Sequence, residues 1–432
     1  MADSVVVVGG GVIGLACAFA LQRSGMDVTV IDAGPRELAA SHVNAGWVCP
    51  TLCEPVPSPG LVTTSARWML KSDSPLYIKP RFDRSFSRWL IEFWKHCNAR
   101  DYHAGTAATA ALSARTLELY DDLREHGVQF EEHEDGLLFA YVGEEAMHHD
   151  YDEIQWVKEY GFEIPNLLDG DAARALEPGL SDEVVGGYWM RHERSVRPDT
   201  LVTGFRDRLR EGGAVIRDGE RVIGFGARDG RVTSVVTDAA TYAASTVVVA
   251  AGAWTPQILQ PLGVRVPIEA GKGYSIDFVP PPVTLTKPLY LHESRVAITP
   301  MNGSLRLAGT MELSGLNHVV RPERVQALLR RTGEAIRDWP AEVRTDAPGV
   351  KVWHGPRPLT PDGLPVIGWM PGWRNLAVAS GHSMLGVTLA PATGEAVAEM
   401  IVSGRTPEVL RPFDPARFNN RSELSARVLR GS

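Results

Sequence analysis

The stretch that decides the fold is Val5-Val6-Val7-Val8-Gly9-Gly10-Gly11-Val12-Ile13-Gly14, near the start of the chain. Its four valines are typical of a buried strand, and the G-x-G-x-x-G pattern that follows predicts a tight turn into a helix over residues 15–23. A second apolar run, residues 28–31, leads directly to Asp32. Strand, glycine turn, helix, strand and acid in this order predict a dinucleotide site.

The glycines and the acid have separate physical roles in such a site. Gly9 allows the sharp turn, Gly11 leaves room for a pyrophosphate, and Gly14 lets the helix pack closely against the strand. The helix N-terminus points free N–H groups at the phosphates, and Asp32 accepts hydrogen bonds from ribose hydroxyls. Because an acid ends the second strand, a nucleotide with a 2′-phosphate is disfavoured, and FAD and NAD both remain.

Size and composition favour a globular protein with two connected domains. A chain of 432 residues is long for one core, and its 44% hydrophobic and 22% charged residues are typical of folded proteins. A formal charge of −8, without clustered lysine and arginine, argues against a nucleic-acid partner. We expect a cytoplasmic protein, because the first strand leaves no room for a signal peptide and no apolar run is long enough to span a membrane.

The cysteines and histidines indicate no metal site. The four cysteines lack the paired C-x-x-C spacing of zinc and iron–sulfur sites, and reduced thiols are the favoured interpretation. His148 and His149 are interpreted as solvated surface. The cysteines are Cys17, Cys49, Cys53 and Cys97.

Runs of small residues recur far from the first glycine turn. Residues 40–46 form one such run, the apolar run 246–249 leads into Ala250-Ala251-Gly252-Ala253-Trp254, and the apolar run 376–379 leads into a loop over 381–386. A helix is predicted over 387–402. The recurrence predicts a cofactor-binding region assembled from distant pieces of chain.

Several motifs together carry a family resemblance. The chain resembles the D-amino-acid oxidase-like family of FAD-dependent oxidoreductases, and within it is most similar to the bacterial D-amino-acid dehydrogenases. Leu389 to Gly394 looks more like glycine oxidases. The motifs are the opening glycine pattern, Asn44-Ala45-Gly46, residues 89–102, Ala251-Gly252-Ala253-Trp254, Lys272-Gly273-Tyr274-Ser275, residues 295–300, residues 357–363 and Gly381-His382-Ser383-Met384-Leu385-Gly386.

The resemblance implies an α/β fold with two interleaved domains. A Rossmann-like FAD-binding domain would comprise residues 1–100, 190–262 and 350–432. An α+β substrate domain with a mainly antiparallel sheet would comprise residues 101–189 and 263–349.

The resemblance also implies which residues hold FAD. Val222 would meet the adenine, Ser41 the pyrophosphate, and the turn from Gly381 to Thr388 the pyrimidine end of the flavin, where the start of the last helix stabilises negative charge. The expected FAD-binding residues are Gly9, Gly11, Val12, Ile13, Gly14, Asp32, Ala33, Ser41, Asn44, Ala45, Gly46, Val222, Ala251, Gly252, Trp254, Gly381, His382, Met384, Leu385, Gly386 and Thr388.

Arg357 is the chief candidate for binding a substrate. Prolines on both sides stiffen its backbone, and a fixed guanidinium can grip a carboxylate through two parallel hydrogen bonds. The matching arginine of related oxidases holds the substrate carboxylate; the alternative is a structural arginine tied to Asp362 or to a helix end. Tyr274 is a second catalytic candidate, against the alternative of a tyrosine packed on a strand. His382 is expected to order the flavin loop.

The implied reaction is oxidative deamination of a D-amino acid to a 2-keto acid and ammonia, by hydride transfer to flavin N5. Electrons then pass to a quinone, a carrier protein or oxygen. Three alternatives stay open: oxidation of glycine or sarcosine, oxidation of a cyclic imino acid such as D-proline or hydroxyproline, and a flavin-binding subunit of a larger complex. Because the cofactor carries the chemistry, we expect no essential acid or base.

The segment Phe82 to Cys97 has the spacing of an amphipathic helix. One face carries the apolar side chains, and Arg84, Arg88, Glu92 and Lys95 lie off it. The residues of this face are Phe82, Phe86, Trp89, Leu90, Phe93, Trp94 and Cys97. Such a face is usually core. The alternative is contact with an electron acceptor or a peripheral membrane contact, with Trp68, Met69 and Leu70 nearby.

Overall fold

The computed structural model describes residues 4–35, 39–61 and 76–418. Trp68, Met69 and Leu70 lie outside these ranges. The fold is α/β, and its first sheet has six strands, five of them parallel and the last antiparallel. In spatial order these strands are Val215–Asp218, Asp27–Asp32, Ser4–Val8, Thr246–Val249, Leu376–Ser380 and Val366–Trp369.

The three strands that lead into glycine turns are neighbours in this sheet. Ser4–Val8 pairs with Thr246–Val249, which pairs in turn with Leu376–Ser380, all in parallel. Because carboxyl ends of parallel strands meet at one edge, the three turns converge there. The prediction of a region built from distant pieces is confirmed.

Two helices pack beside these strands. The first helix, Val12–Arg23, begins three residues earlier than predicted, because the last residues of the glycine pattern are already helical. The last helix, Gly386–Ser403, agrees with its prediction within a residue. A Cβ at Gly394 would lie 2.5 Å from the Ala16 carbonyl oxygen, so glycine allows the two helices to touch.

A second, larger sheet of nine strands is mainly antiparallel, as expected. Val350–Leu359 forms its edge and pairs with Glu269–Phe278. Residues 76–78 and 350–359 are predicted to belong to the FAD-binding domain, yet both segments pair with strands of this sheet. The domain ranges otherwise stay a prediction. The other strands of this sheet are Leu76–Ile78, Leu137–Tyr141, Leu167–Asp169, Gly186–Met190, Leu289–Leu291, Val296–Met301 and Ser304–Leu313.

Two small antiparallel sheets and further helices complete the described chain. One sheet contains Val222–Arg228, Arg231–Thr237 and Thr241–Ala243, and the other contains Trp47–Val48, Arg194–Val196 and Glu132–His133. The remaining α-helices are Ala40–Val43, Arg84–His96, Ala99–Ser113, Thr116–Glu125, Glu144–Glu153, Gly170–Leu176, Pro198–Glu211, Thr255–Leu259 and Pro322–Ala335. Within the described ranges, none of the helices has the length and apolar character needed to cross a membrane. All four cysteines are free thiols.

Candidate active site

A cavity of about 1340 Å³ is lined by residues of both large sheets. The converging glycine turns form one part of its wall, and Gly273, Thr310 and Arg357 of the nine-stranded sheet form another. Every predicted site residue except Gly14 lines this cavity. The fold therefore brings together residues that are spread over nearly the whole chain.

The opening glycine pattern has the geometry expected of a phosphate-binding turn. Gly9 has a φ of +113°, and a Cβ there would lie 2.4 Å from the Ala250 carbonyl oxygen. Gly11 precedes the helix directly, so its missing side chain leaves the helix N-terminus open to the cavity. A Cβ at Gly14 would lie 2.0 Å from the Gly9 carbonyl oxygen, which explains why Gly14 serves helix packing rather than the cavity wall.

Ser41 and Asp32 are held in place by backbone groups of this turn. The Ser41 hydroxyl oxygen accepts a hydrogen bond from the Val12 N–H at 3.0 Å. The Asp32 carboxylate accepts one from the Gly10 N–H at 2.6 Å and another from the Gly34 N–H at 2.9 Å. Both side chains are thus preorganised, and both line the cavity.

Asn44, Ala45 and Gly46 form a turn that hydrogen bonds hold in place. The Asn44 side chain accepts from the Gly46 N–H at 2.7 Å and donates to the Ala40 carbonyl at 3.0 Å. The Ala45 carbonyl accepts from the Thr299 hydroxyl at 2.8 Å. Gly46 has a φ of +80°, and a Cβ there would lie 2.1 Å from the Val196 carbonyl oxygen. The turn can adopt this position because its last residue is glycine.

The loop before the last helix contains buried polar atoms that lack partners. His382 is 2% exposed, and its Nε2 lies 3.0 Å from the Thr393 hydroxyl. Within the described part of the chain, its Nδ1 and the Ser383 hydroxyl find no hydrogen-bond partner. Burial lowers the pKa of His382 to about 3, so the ring is neutral at physiological pH. Such orphan groups lining a cavity are suited to a polar ligand.

The other predicted cofactor residues lie on strands, turns and helix starts that border the cavity. Val222 begins its strand, and Gly252, with a φ of +53°, lies three residues after the end of the strand Thr246–Val249. The Thr388 hydroxyl accepts from the Cys49 N–H at 3.1 Å, so it also attaches the last helix to the neighbouring loop. The remaining predicted FAD-binding residues all line the cavity; they are Ile13, Ala33, Ala251, Trp254, Gly381, Met384, Leu385 and Gly386.

Arg357 places a cation in the cavity without a carboxylate beside it. It lies inside the edge strand Val350–Leu359, where the flanking prolines are tolerated. Its single hydrogen bond to another described residue runs from Nη1 to the Thr310 carbonyl at 2.8 Å. Burial lowers the pKa of Arg357 to about 10, which leaves it charged at neutral pH. Asp362 binds Arg417 at 2.7 Å instead, so the predicted alternative partner is occupied elsewhere.

Gly273 and Thr310, which the sequence analysis missed as site residues, position this guanidinium. A Cβ at Gly273 would lie 2.2 Å from Arg357 Nη1 and 2.4 Å from Cζ, so the guanidinium lies over the bare glycine. Thr310, whose carbonyl receives the hydrogen bond, has a φ of +57°. Only the Lys272-Gly273-Tyr274 motif gave any signal for the glycine.

Tyr274 is a packed tyrosine with an occupied hydroxyl. Its side chain is 1% exposed and belongs to the core beneath the nine-stranded sheet. The hydroxyl donates to the Glu312 carboxylate at 2.7 Å, and Lys272 forms an ion pair with the same carboxylate at 3.0 Å. Burial and Glu312 both raise the pKa of Tyr274. These contacts favour the structural alternative over the catalytic role.

A second group of polar side chains, also missed, lines the cavity. Arg295 Nη1 donates to Tyr290 at 3.4 Å and to His292 Nε2 at 2.5 Å, and His292 Nδ1 contacts the Asp150 carboxylate. Glu54 lies in the same wall. Their positions in the sequence gave no common pattern.

The absence of a metal site was expected, but the fold brings three ligand-type side chains together. The ligand atoms of His149, Asp150 and Glu153 lie within 4.8 Å of one another on one helix. His149 and Glu153 are exposed, and Asp150 is already engaged with His292. All three side chains also line the cavity, and the arrangement has the character of an ion-pair cluster in its wall.

The predicted amphipathic helix, Arg84–His96, has apolar side chains on two sides. Phe86 and Trp89 are 2% and 4% exposed and pack against Leu359. Phe82, Ile91 and Trp94 are instead among the most exposed large hydrophobic residues. The apolar side chains of this segment therefore lie partly in the core and partly on the exposed surface.

The cavity fits FAD in its chemistry. The glycine turn leaves space at a helix N-terminus, as a pyrophosphate requires, and Asp32 is held where a ribose would lie. His382 Nδ1 and the Ser383 hydroxyl offer unused polar groups at the start of the last helix. These features extend along one continuous cavity, which suits an extended dinucleotide.

Comparison with known proteins agrees with this fit. The model of the DAO family, FAD dependent oxidoreductase, matches residues 4–400. The chain is 32% identical over 413 residues to a D-amino acid dehydrogenase of Rhizorhabdus wittichii, covering 94% of this chain and 97% of the relative. It is 31% identical over 417 residues to a D-amino acid dehydrogenase of Cereibacter sphaeroides, covering 94% and 93%.

Solved structures share the fold. Glycine oxidase from Geobacillus kaustophilus has a TM-score of 0.75 and 24% identity, covering 97% of this chain and all of that one. L-proline dehydrogenase from P. horikoshii has a TM-score of 0.71 and 21% identity, covering 96% and 98%. Since the family model spans nearly all of the described residues, the chain belongs to the DAO family of FAD-dependent oxidoreductases.

Proposed function

We propose that this protein oxidises a D-amino acid to the 2-keto acid and ammonia, using bound FAD. The observation that carries the proposal is Arg357, a cavity-lining guanidinium with no carboxylate partner among the described residues. The relatives named D-amino acid dehydrogenase support the class of substrate and the enantiomer. Bound FAD supplies the two-electron acceptor for the reaction.

Arg357 would bind and orient the substrate. Its Nη1 is anchored by Thr310, and its remaining N–H groups can hold a carboxylate through parallel hydrogen bonds. Because both ends of the contact are fixed, the α-carbon of the substrate would be held in one position, which lowers the barrier by orientation.

No described side chain is needed as an acid or base. Tyr274 is engaged by Glu312, and His382 stays neutral because burial lowers its pKa to about 3. A neutral amine can release the α-hydrogen as hydride without a protein base, and water hydrolyses the imino acid. We therefore infer that the protein contributes binding, orientation and exclusion of solvent.

The test is anaerobic mixing of the FAD-loaded protein with D- and L-amino acids, glycine, sarcosine and prolines, while the oxidised-flavin absorbance is followed. Bleaching by D-amino acids, and not by their L-enantiomers, is the expected result. Bleaching only by glycine, sarcosine or a proline would move the function to the second candidate, which the fold shared with glycine oxidase favours. No bleaching by any compound would support a flavin-binding subunit of a larger complex.

We also propose that electrons leave to an acceptor held in an anionic membrane surface. Ile91 and Trp94 on the helix Arg84–His96, and Phe82 just before it, expose apolar area, and Trp94 lines the cavity. Arg84 and Lys95 are exposed on the same helix, where Lys95 also pairs with Glu92 at 2.9 Å. Aromatic and basic side chains on one helix suit the interface of anionic lipids.

Flotation with vesicles of anionic and of neutral lipid tests this surface. Binding to anionic vesicles that is lost in Trp94→Ser is the expected result. Equal flotation of the wild type and Trp94→Ser, or none, would contradict it; fast peroxide formation in air would identify oxygen as the acceptor instead. The cytoplasmic location stays a prediction.

A further inference from the structure

The cavity that contains Arg357 also has an acidic part. We call it the distal pole and define it by Glu54, Asp150, Glu153 and Arg295, all of which line the cavity. It contains three carboxyl groups and one guanidinium.

The single guanidinium of the distal pole already has an anionic partner. Arg295 Nη1 donates to His292 Nε2 at 2.5 Å, which leaves the His292 proton on Nδ1, facing the Asp150 carboxylate. Burial lowers the pKa of His292, so the ring is a neutral bridge between Arg295 and Asp150. Asp150 and Arg295 thus balance one another through this histidine.

The Glu54 carboxyl has no cationic partner of this kind. Among the described residues its carboxyl forms no ion pair, and the neutral donors that favour its charged form are its own backbone N–H and the indole of Trp156. Burial raises the pKa of Glu54 to about 7, although the charge of Arg295 acts in the opposite direction. Removing a carboxyl from water without a cation beside it is unfavourable, and such groups in cavities mark binding sites.

We propose that Glu54 selects amino acids whose side chain ends in an ammonium or guanidinium group. The inference rests on the proposed function, because a substrate whose α-carboxylate lies on Arg357 extends its side chain into the cavity that Glu54 lines. A cationic end group gives Glu54 the charge-assisted hydrogen bond that the protein does not supply. A neutral end group leaves the carboxyl unpaired, which weakens binding.

The test compares two substrates of nearly equal shape, D-arginine and the uncharged ureido analogue D-citrulline. For each, the concentration that gives half the limiting rate of anaerobic flavin reduction is measured. We expect this concentration to be at least about tenfold lower for D-arginine, a difference of ~1.4 kcal/mol. Glu54→Gln should bring the ratio close to one. Glu145→Gln, which removes an exposed carboxylate outside the cavity lining, should keep the wild-type ratio.

Three results would overturn the inference. The first is a wild-type ratio near one, which needs no variant and so does not depend on whether Glu54→Gln folds. The second is an unchanged ratio in Glu54→Gln with FAD still bound. Glu54 would give this result if it contacted the α-amino group, which every substrate has. The third is a preference for D-glutamate, which would make Arg295 the dominant group. If no amino acid reduces the wild-type flavin, the proposed function itself fails. That outcome is distinct from the three results above, in which amino acids reduce the flavin but Glu54 does not select among them.

Discussion

Replacing Gly273 by alanine tests whether substrate binding depends on the exact position of the Arg357 guanidinium. An added Cβ would lie 2.2 Å from Nη1, whereas ordinary contacts begin at 3.4 Å. The guanidinium must therefore move by about 1.2 Å, because overlapping atoms repel steeply. A misplacement of about 1 Å in a positioning group costs roughly 100-fold in rate. We expect Gly273→Ala to lower kcat/KM by about 100-fold, or ~2.7 kcal/mol.

The fold should tolerate this substitution, because the added atom meets the end of a flexible side chain rather than backbone. FAD content and the melting temperature should stay close to the wild type. Gly224→Ala is the matched control, since Gly224 also lies in a strand but has nothing within 4 Å of the added Cβ. The decisive measurement is the double variant: in an Arg357→Ala background, Gly273→Ala should cause almost no further loss. A full additional 100-fold loss there would refute the reasoning.

Three further predictions concern the same cavity. Arg357→Ala should raise KM for the substrate by about 100-fold or more while FAD stays bound. Arg357→Lys should recover little of this loss, because an ammonium cannot form the two parallel hydrogen bonds. An unchanged KM would remove Arg357 from the site. Tyr274→Phe should lower the free energy of unfolding by about 1–2 kcal/mol, since Glu312 loses a buried hydrogen bond, yet change kcat/KM by less than about threefold; a large loss of flavin reduction would restore its catalytic role. Because burial lowers the pKa of His382 to about 3, the ring is already neutral at pH 5 and does not change its charge above it. The pH profile of flavin reduction between about pH 5 and 8 should therefore have the same inflections in the wild type and in His382→Asn. An inflection that is present in the wild type and lost in His382→Asn would contradict this prediction.

Local chemistry explains what the sequence predicted well. The glycine pattern at residues 9–14 predicts its own geometry, since a φ of +113° at Gly9 and the close packing at Gly14 each require glycine. The predicted strands at residues 5–8 and 28–31 agree with Ser4–Val8 and Asp27–Asp32 within one residue at each end. Apolar runs of this kind are buried whatever the rest of the chain does, so their assignment needed no knowledge of tertiary contacts.

Pairing between distant strands explains what the sequence could not predict. Residues 350–359 enter the nine-stranded sheet because Val350–Leu359 aligns with Glu269–Phe278, a contact that no local pattern records. The same pairing brings Gly273 under Arg357, and the pairing of Ser304–Leu313 with the other side of Glu269–Phe278 brings the Thr310 carbonyl to the guanidinium. Arg357 itself was predictable because its prolines are sequence neighbours, whereas its two positioning residues become neighbours only in the folded sheet.

Backbone strain in the cavity wall also indicates that contacts between distant segments, rather than local sequence, position the residues of the cavity. Five described residues other than glycine have positive φ, and three of them, Arg295, Thr310 and Ser383, line the cavity. Each conformation is unfavourable by itself and persists only where surrounding contacts over-determine it. Thr310 directs a carbonyl at Arg357, Arg295 lies at the distal pole, and Ser383 adjoins His382. Contacts around the cavity therefore hold these three residues in conformations that local preference disfavours, and no contiguous motif records those contacts.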